Sequence, residues 1–163
     1  MEFNYYVYNK PECRISIEKM PIWYKEIEYI GDENKGSITF NSQNNFDEIW
    51  GPNSTFELNW EKKERSNLFY YKEVQTSIDI YNAVGVAVTE KKKDWVRSHE
   101  FTIWIGHRNK LNRKRYYNEK IIHGVFYCEV SERVFNIHTS IIGDMYENFK
   151  PFVLKSYYTL ICH

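Results

Sequence analysis

Cysteine and alanine are scarce in this sequence, and long apolar runs are missing. The three cysteines, Cys13, Cys128 and Cys162, have no regular spacing, so they predict neither a disulfide framework nor a paired Cys-x-x-Cys zinc motif. No segment approaches about 18 consecutive apolar residues, and the N-terminal stretch lacks the basic and apolar regions of a signal peptide. We therefore expect a cytoplasmic protein, in a reducing compartment, without a membrane span.

Net charge is also missing, since 22 basic and 22 acidic side chains balance. This balance gives no general sign of a nucleic-acid or membrane binder. The sequence contains no Gly-x-Gly-x-x-Gly, Walker A or Gly-x-Ser-x-Gly motif. It therefore lacks the motifs that usually indicate dinucleotide binding, P-loop chemistry or α/β-hydrolase catalysis. Composition and motifs therefore do not indicate an enzyme class.

What the sequence does contain is aromatic and β-branched material in short alternating runs. Apolar residues make up 42% of the chain and aromatic residues 18%, against only two alanines. The runs "CRISIE", "GSITF", "TFELNW" and "FTIWIG" place apolar side chains at every second position. This period is typical of antiparallel strands with one face on a core.

Two stretches have helical spacing instead. Between Glu73 and about Lys92, apolar residues recur at steps of three and four. Near the C-terminus a second apolar stripe surrounds Pro151, which predicts either a kinked helix or a turn followed by a helix beginning near this proline. Without internal repeats or a linker, we predict one α+β domain over residues 1–163, with a central antiparallel sheet flanked by two or more helices.

The segment "HGVFYCEVSERVFNIH" (residues 123–138) predicts a β-hairpin. A turn at Ser131-Glu132 would pair Cys128 with an apolar partner on one face. His123 would then lie on the opposite face, because successive side chains of a strand alternate. The two residues could not share a metal ion without a bulge, and we interpret Cys128 as a small buried hydrophobic residue.

The end of the chain, Cys162 and His163, has poor spacing for joint ligation from one helix. We therefore expect no metal ion and no cofactor.

The preferred functional hypothesis is a non-enzymatic binding or accessory domain that meets a protein partner. Trp104, Tyr127, His123 and His138 are predicted on the wetter face of the sheet, and aromatic residues are common anchors of interfaces. An alternative is an enzyme or metal protein that uses His123, His138 and His107.

A second alternative is nucleic-acid binding through a basic connection over residues 108–120. Cationic side chains neutralise phosphates and tyrosines can stack on bases. The residues concerned are Arg108, Lys110, Arg113, Lys114, Arg115, Tyr116, Tyr117 and Lys120. The competing interpretation is a long solvated hairpin connection.

The order of elements resembles that of Mog1/PsbP-like domains. "MPIWYKE" precedes the strand "KGSITF", then come "STFELNWEKKE", an amphipathic helix and late hairpin strands that close with a helix. Pro21 and Trp23 match the Pro and Trp found at a strand end in that family, one residue closer together. The resemblance implies an α/β/α arrangement and a role as a small adaptor, for instance of a GTPase or a photosynthetic complex, but it assigns no functional residue.

Overall fold

The structure consists mainly of β-strands, with two helices. A computed structural model describes residues 4–42, 45–47, 51–52, 54–64, 69–112 and 115–163. Within these ranges the chain forms twelve strands and two α-helices. In chain order these are β1 (Tyr5–Lys10), β2 (Ile15–Pro21), β3 (Tyr24–Gly31), β4 (Lys35–Ser42), β5 (Asn45–Asp47), β6 (Gly51–Pro52), β7 (Ser54–Lys62), α1 (Phe69–Ala83), β8 (Ala87–Val96), β9 (His99–Asn112), β10 (Arg115–Cys128), β11 (Arg133–Ile142), α2 (Tyr146–Tyr158) and β12 (Leu160–Ile161).

One large sheet dominates the described part of the chain. Its seven strands lie in the order β3-β4-β7-β11-β10-β9-β8, and each is antiparallel to its neighbours. A smaller sheet has the order β1-β2-β12, and β5 pairs with β6. The predicted α+β fold with a central antiparallel sheet is confirmed.

The main core lies on one face of the large sheet. Phe56, Leu58 and Trp60 of β7 are all buried there, as the alternation in "TFELNW" predicts. α2 adds Phe149 and Val153 to the same core, and the small sheet contributes as well. The large sheet is therefore covered on this face by α2 together with the small sheet.

Gly124 of β10 lets aromatic rings approach this face closely. A Cβ atom at Gly124 would lie 2.6 Å from Cε2 of Phe101 and 3.3 Å from Cδ2 of Tyr157. The Tyr157 hydroxyl donates to the carbonyl of Ile122 at 2.8 Å. The missing side chain thus allows α2 to dock directly on the central strands.

The first helix is shorter than the spacing predicts. α1 ends at Ala83, and Gly85 follows with a φ of +88°, a left-handed conformation that commonly ends a helix. The predicted continuation to Lys92 is wrong, because residues 87–96 form β8 at the edge of the large sheet. The exposed lysines of this strand disfavour pairing with a further strand.

The second helix contains its proline. α2 runs from Tyr146 to Tyr158 with Pro151 inside it, so a helix beginning only near Pro151 is wrong. Trp23 stacks on Phe149 of this helix with ring centroids 4.7 Å apart. No helix in the described ranges has the length and apolarity needed to cross a membrane.

A buried arginine joins three distant segments of the chain. Arg133, 1% exposed, donates from Nη1 to the carbonyls of Cys13 at 2.6 Å and Glu33 at 3.1 Å. Its Nη2 donates to the carbonyls of Arg14 at 3.0 Å and Cys162 at 2.8 Å. The guanidinium also lies over the ring of Phe135 at 5.0 Å. One side chain therefore holds the turn before β2, the β3–β4 turn and the residues after β12 together.

We expect Arg133→Met to lower the free energy of unfolding by about 3–5 kcal/mol, because four carbonyls lose their charged donor and two of these hydrogen bonds, to Cys13 and Cys162, are buried. The measurement is equilibrium unfolding in urea. The control is Arg97→Met, since the exposed Arg97 forms an ion pair with the exposed Glu18 at 2.6 Å. It should cost less than about 1 kcal/mol. Equal losses in the two variants would contradict the role assigned to Arg133.

Candidate functional site

Three of the four residues predicted to form a partner-binding face are buried beneath α1. Trp104 is 0% exposed, Tyr127 3% and His123 4%, and His138 is half-buried. The expectation of an exposed aromatic face is therefore wrong for this part of the sheet. Alternation separates the two faces of a sheet, but it does not show whether a helix covers the second one.

The hairpin of β10 and β11 brings His123 directly opposite His138. The predicted pairing is wrong by two positions, because Cys128 pairs with Arg133 and a four-residue turn joins the strands. A shift of two positions keeps every side chain on its face. Cys128 and His123 therefore lie on opposite faces, as predicted.

The two imidazoles form a short hydrogen-bonded chain. The Nδ1 atoms of His123 and His138 lie 3.4 Å apart, and Nε2 of His123 is 3.1 Å from Oδ1 of Asn136. With both rings neutral, one arrangement uses both contacts. Nε2–H of His123 donates to Asn136, and Nδ1–H of His138 donates to Nδ1 of His123.

Aromatic rings enclose the pair on both sides. Trp104 stacks on His123 with centroids 4.9 Å apart, and Tyr81 of α1 stacks on His138 at 4.6 Å. The indole Nε1–H of Trp104 donates to Oγ of Ser77 at 2.9 Å. These contacts fix the orientation of both imidazoles against α1.

Burial makes both histidines weak bases. Desolvation, together with His138, lowers the pKa of His123 to about 3. Desolvation also lowers the pKa of His138 to about 4, and the cationic Arg108 and Lys110 contribute. Both rings are therefore neutral at physiological pH.

An open groove lies beside the buried pair, where α1 no longer covers the sheet. Its volume is about 540 Å³, and its lining includes Ser37 of β4, Asn59 of β7 and Lys63. A second cavity of about 270 Å³ is lined by Ser77, Tyr81 and His123. Asn59, Glu73 and Asn136 line both spaces, so the two adjoin as one depression that reaches His123. We call this depression the α1 groove.

Charges of both signs border the α1 groove. Lys63 pairs with Glu73 of α1 at 2.5 Å, and Lys35 approaches Glu61 at 3.5 Å. The Glu73 contact helps raise the pKa of Lys63. The groove therefore offers hydrogen-bond donors and acceptors rather than a field of one sign.

The third histidine of the enzyme hypothesis does not join this site. His107 belongs to β9, three positions from Trp104, so its side chain lies on the opposite face from His123 and His138. The structure brings together two of the three predicted histidines.

The basic stretch is the outer part of the β9–β10 hairpin rather than a loop. Arg108 donates to Glu119 at 2.7 Å, and Lys110 pairs with the same carboxylate group at 3.3 Å. Tyr116 is 79% exposed. Arg113 and Lys114 lie outside the described residues. The remaining residues of this hypothesis are Arg115 at the start of β10, the half-buried Tyr117, and Lys120, whose Nζ lies over the ring of Tyr146.

Sequence reasoning missed a second cluster at one end of the large sheet. The metal-ligating atoms of His99, Cys128, Cys162 and His163 all lie within 4.8 Å of one another. Cys128 and Cys162 are joined as a disulfide, so the expectation of unpaired cysteines is wrong for these two. Cys162 and His163 follow β12 and are not helical, so the helical-spacing argument does not apply to them.

Comparison with known proteins identifies the fold. No protein-family model and no curated protein sequence matches the chain. A Pseudomonas aeruginosa protein of unknown function, described as a candidate regulator, is similar over 95% of this chain and 94% of its own, with 10% identity and a TM-score of 0.61. The cyanobacterial PsbP protein CyanoP from Synechocystis sp. PCC 6803 matches 94% of this chain and 89% of its own, with 8% identity and a TM-score of 0.59. The Saccharomyces cerevisiae Ran-binding protein Mog1p matches 90% of this chain and 89% of its own, with 7% identity and a TM-score of 0.55. The chain therefore has the predicted Mog1/PsbP-like fold.

Lowering the pH from 7 to 5 should destabilise the protein through the histidine pair. The unfolded chain binds protons at its histidines below about pH 6.5, whereas the folded pair stays neutral until pH 3 to 4. Each histidine that stays neutral in the folded state lowers the free energy of unfolding by about 2 kcal/mol at pH 5. Urea unfolding at both pH values measures the loss.

His138→Gln should remove about half of the pair's contribution to this loss, while His107→Gln should leave it intact. The charged and titratable groups near the pair, Tyr81, Arg108, Lys110 and Glu57, are unchanged in both variants. The same pH dependence in His138→Gln as in the unmodified protein would contradict the assignment.

Proposed function

We propose that the protein is a binding or accessory domain that receives a segment of a protein partner in the α1 groove. The observation that carries this proposal is the groove itself: about 540 Å³ of open space on a sheet face that α1 leaves uncovered. The sequence predicted partner binding at aromatic residues that are in fact buried. We assign this role instead to the α1 groove beside them. A cytoplasmic location is part of the same proposal.

The groove has a rigid floor and adaptable walls. β4 and β7 are paired on both sides in the large sheet, so their backbone groups are satisfied and cannot move independently. The half-buried side chains of Ser37, Asn59 and Asn136 project from this floor. A partner is therefore recognised by side-chain hydrogen bonds and shape rather than by addition of a strand.

The edges of the groove can contribute electrostatic selectivity. Lys35 and Glu61 are both substantially exposed, and their contact of 3.5 Å is long enough to be exchanged for contacts with a partner at little cost. Lys63 and Glu73 are closer together and less exposed. A partner segment with charges of both signs matches this border better than a uniformly charged polymer does.

The two alternative hypotheses receive less support from the geometry. His123 is enclosed by Trp104 and Tyr81, and both its ring nitrogens are within reach of protein groups. In the basic hairpin, Glu119 neutralises part of the charge of Arg108 and Lys110. These arrangements favour a structural role for the histidines and a partly neutralised hairpin.

The similar structures agree with a binding role without specifying it. One is described as Ran-binding and another as a candidate regulator. At 7–10% identity, however, the similarity shows only a shared fold and not a shared function. The proposal therefore depends on the groove, and any partner has to be found experimentally.

A photo-cross-linking amino acid at Ser37, in the groove, should capture a specific partner protein from native lysate. The matched control carries the same amino acid at Thr89, an exposed position on the edge strand β8 far from the groove in the strand order. Cross-linked products are identified by mass spectrometry with and without nuclease treatment.

The Asn59→Arg substitution supplies the second arm of the test. A bulky cation in the groove should reduce the yield of the Ser37 product at least tenfold while the variant keeps the thermal stability of the original. Products that form equally from Ser37 and Thr89, or that survive Asn59→Arg unchanged, would overturn the proposal. Loss of the product on nuclease treatment would instead favour nucleic-acid binding through the basic hairpin.

A further inference from the structure

Four potential metal ligands converge where β9 begins and β10 ends. His99 begins β9 and Cys128 ends β10, on the same face as the paired Phe101 and Phe126. Cys162 and His163 reach this point from the segment after β12, which the hydrogen bond from Arg133 to the Cys162 carbonyl holds in place at 2.8 Å. The cluster lies on the face opposite the α1 groove, so it is independent of the function proposed above.

The distances between sulfur and nitrogen atoms in this cluster suit a tetrahedral metal ion. Sγ of Cys162 lies 3.6 Å from Nε2 of His99 and 3.3 Å from Nδ1 of His163. Sγ of Cys128 lies 3.6 Å from Nδ1 of His163. Tetrahedral zinc, with bonds of about 2.3 Å to sulfur and about 2.0–2.1 Å to nitrogen, separates sulfur and nitrogen ligands by roughly 3.5 Å.

A carboxylate fixes the orientation of the more buried of the two imidazoles in this cluster. Nδ1 of His99 lies 2.6 Å from Oε2 of Glu129, so Nδ1–H donates to the carboxylate. This tautomer leaves the lone pair of Nε2 directed toward Cys162. A histidine that ligates a metal through one nitrogen and donates to a carboxylate through the other is a recurring arrangement in zinc sites.

Burial and ligand type define the class of ion. His99 is 6% exposed, Cys128 0% and Cys162 2%, whereas the His163 side chain is exposed. Two soft sulfur and two imidazole ligands select Zn²⁺ over the oxygen-seeking Mg²⁺ and Ca²⁺. The exposed imidazole provides a route by which the ion can enter the site.

We propose that His99, Cys128, Cys162 and His163 form a Cys₂His₂ site for Zn²⁺ when the Cys128–Cys162 disulfide is reduced. A dithiol reductant breaks the sulfur–sulfur bond: two electrons and two protons pass to the cysteine sulfurs, and the reductant leaves as its own disulfide. Zn²⁺ then displaces the two thiol protons and binds both thiolates and the two neutral imidazoles.

The disulfide and the metal site are thus two states of the same residues. Both connect the end of β10 to the segment after β12. In a reducing compartment the thiol form is the stable one, and metal binding replaces the lost covalent link.

The test uses untagged full-length protein, reduced without oxygen and freed of reductant, and titrated with Co²⁺ as a spectroscopic probe. We expect one Co²⁺ per chain, with visible bands of a tetrahedral ion and an ultraviolet thiolate charge-transfer band. Zn²⁺ should displace Co²⁺ at one equivalent, and the disulfide form should show no such bands.

Substitutions assign the ligands. Cys162→Ser should abolish the charge-transfer intensity due to one thiolate. His163→Ala should weaken Zn²⁺ affinity at least tenfold. This variant should stay folded, because the His163 side chain is exposed. Glu129→Gln should weaken affinity roughly 10–100-fold by releasing His99. Cys13→Ser and His107→Gln serve as controls and should bind as the original does.

Two results would overturn the proposal. One is a reduced protein that binds Co²⁺ without a thiolate charge-transfer band. The other is binding that the disulfide form or His163→Ala retains at full affinity, since the ion would then occupy another site.

Discussion

The hydrogen bonds of one buried guanidinium determine how the outer parts of this protein attach to its central sheet. Arg133 begins β11 in the middle of the large sheet, yet all four of its described acceptors lie in other segments. Burial lowers the pKa of this guanidinium, which shows that the surroundings resist the charge. The charge is tolerated because backbone carbonyls replace water as its hydrogen-bond partners. The small sheet, the β3–β4 turn and the Cys/His cluster are all positioned by this arrangement.

β10 connects the two regions of functional interest. Its odd-numbered residues, such as His123, lie toward α1, and its even-numbered residues, such as Cys128, lie toward α2. The groove and the cysteine–histidine cluster are consequently separate in space, although one strand carries residues of both. A ligand in one region need not touch the other, so each can be tested without disturbing its counterpart.

The neutral histidine pair shows what a buried polar cluster can contribute besides catalysis. His123, His138 and Asn136 contact one another in the sheet–helix interface, and Trp104 and Tyr81 stack on the two imidazoles. Such a network specifies how α1 docks, because another orientation would leave buried nitrogens without partners. The open part of the same face then becomes the α1 groove.

The sequence by itself determined the fold class and the inward faces of the strands with alternating runs, because these depend on local alternation, but it assigned β8 to a helix. It even placed Cys128 and His123 on opposite faces with the wrong register, since a two-residue shift preserves parity. Only the tertiary structure decided which part of the second sheet face α1 covers. Trp104 and Ser37 both lie on that face, and only Trp104 is buried. It also decided that His99, Cys128, Cys162 and His163 meet. They come from three separate parts of the sequence, His99, Cys128 and the adjacent Cys162 and His163, and their proximity depends on strand order and on the Arg133 contact, which short-range spacing does not encode.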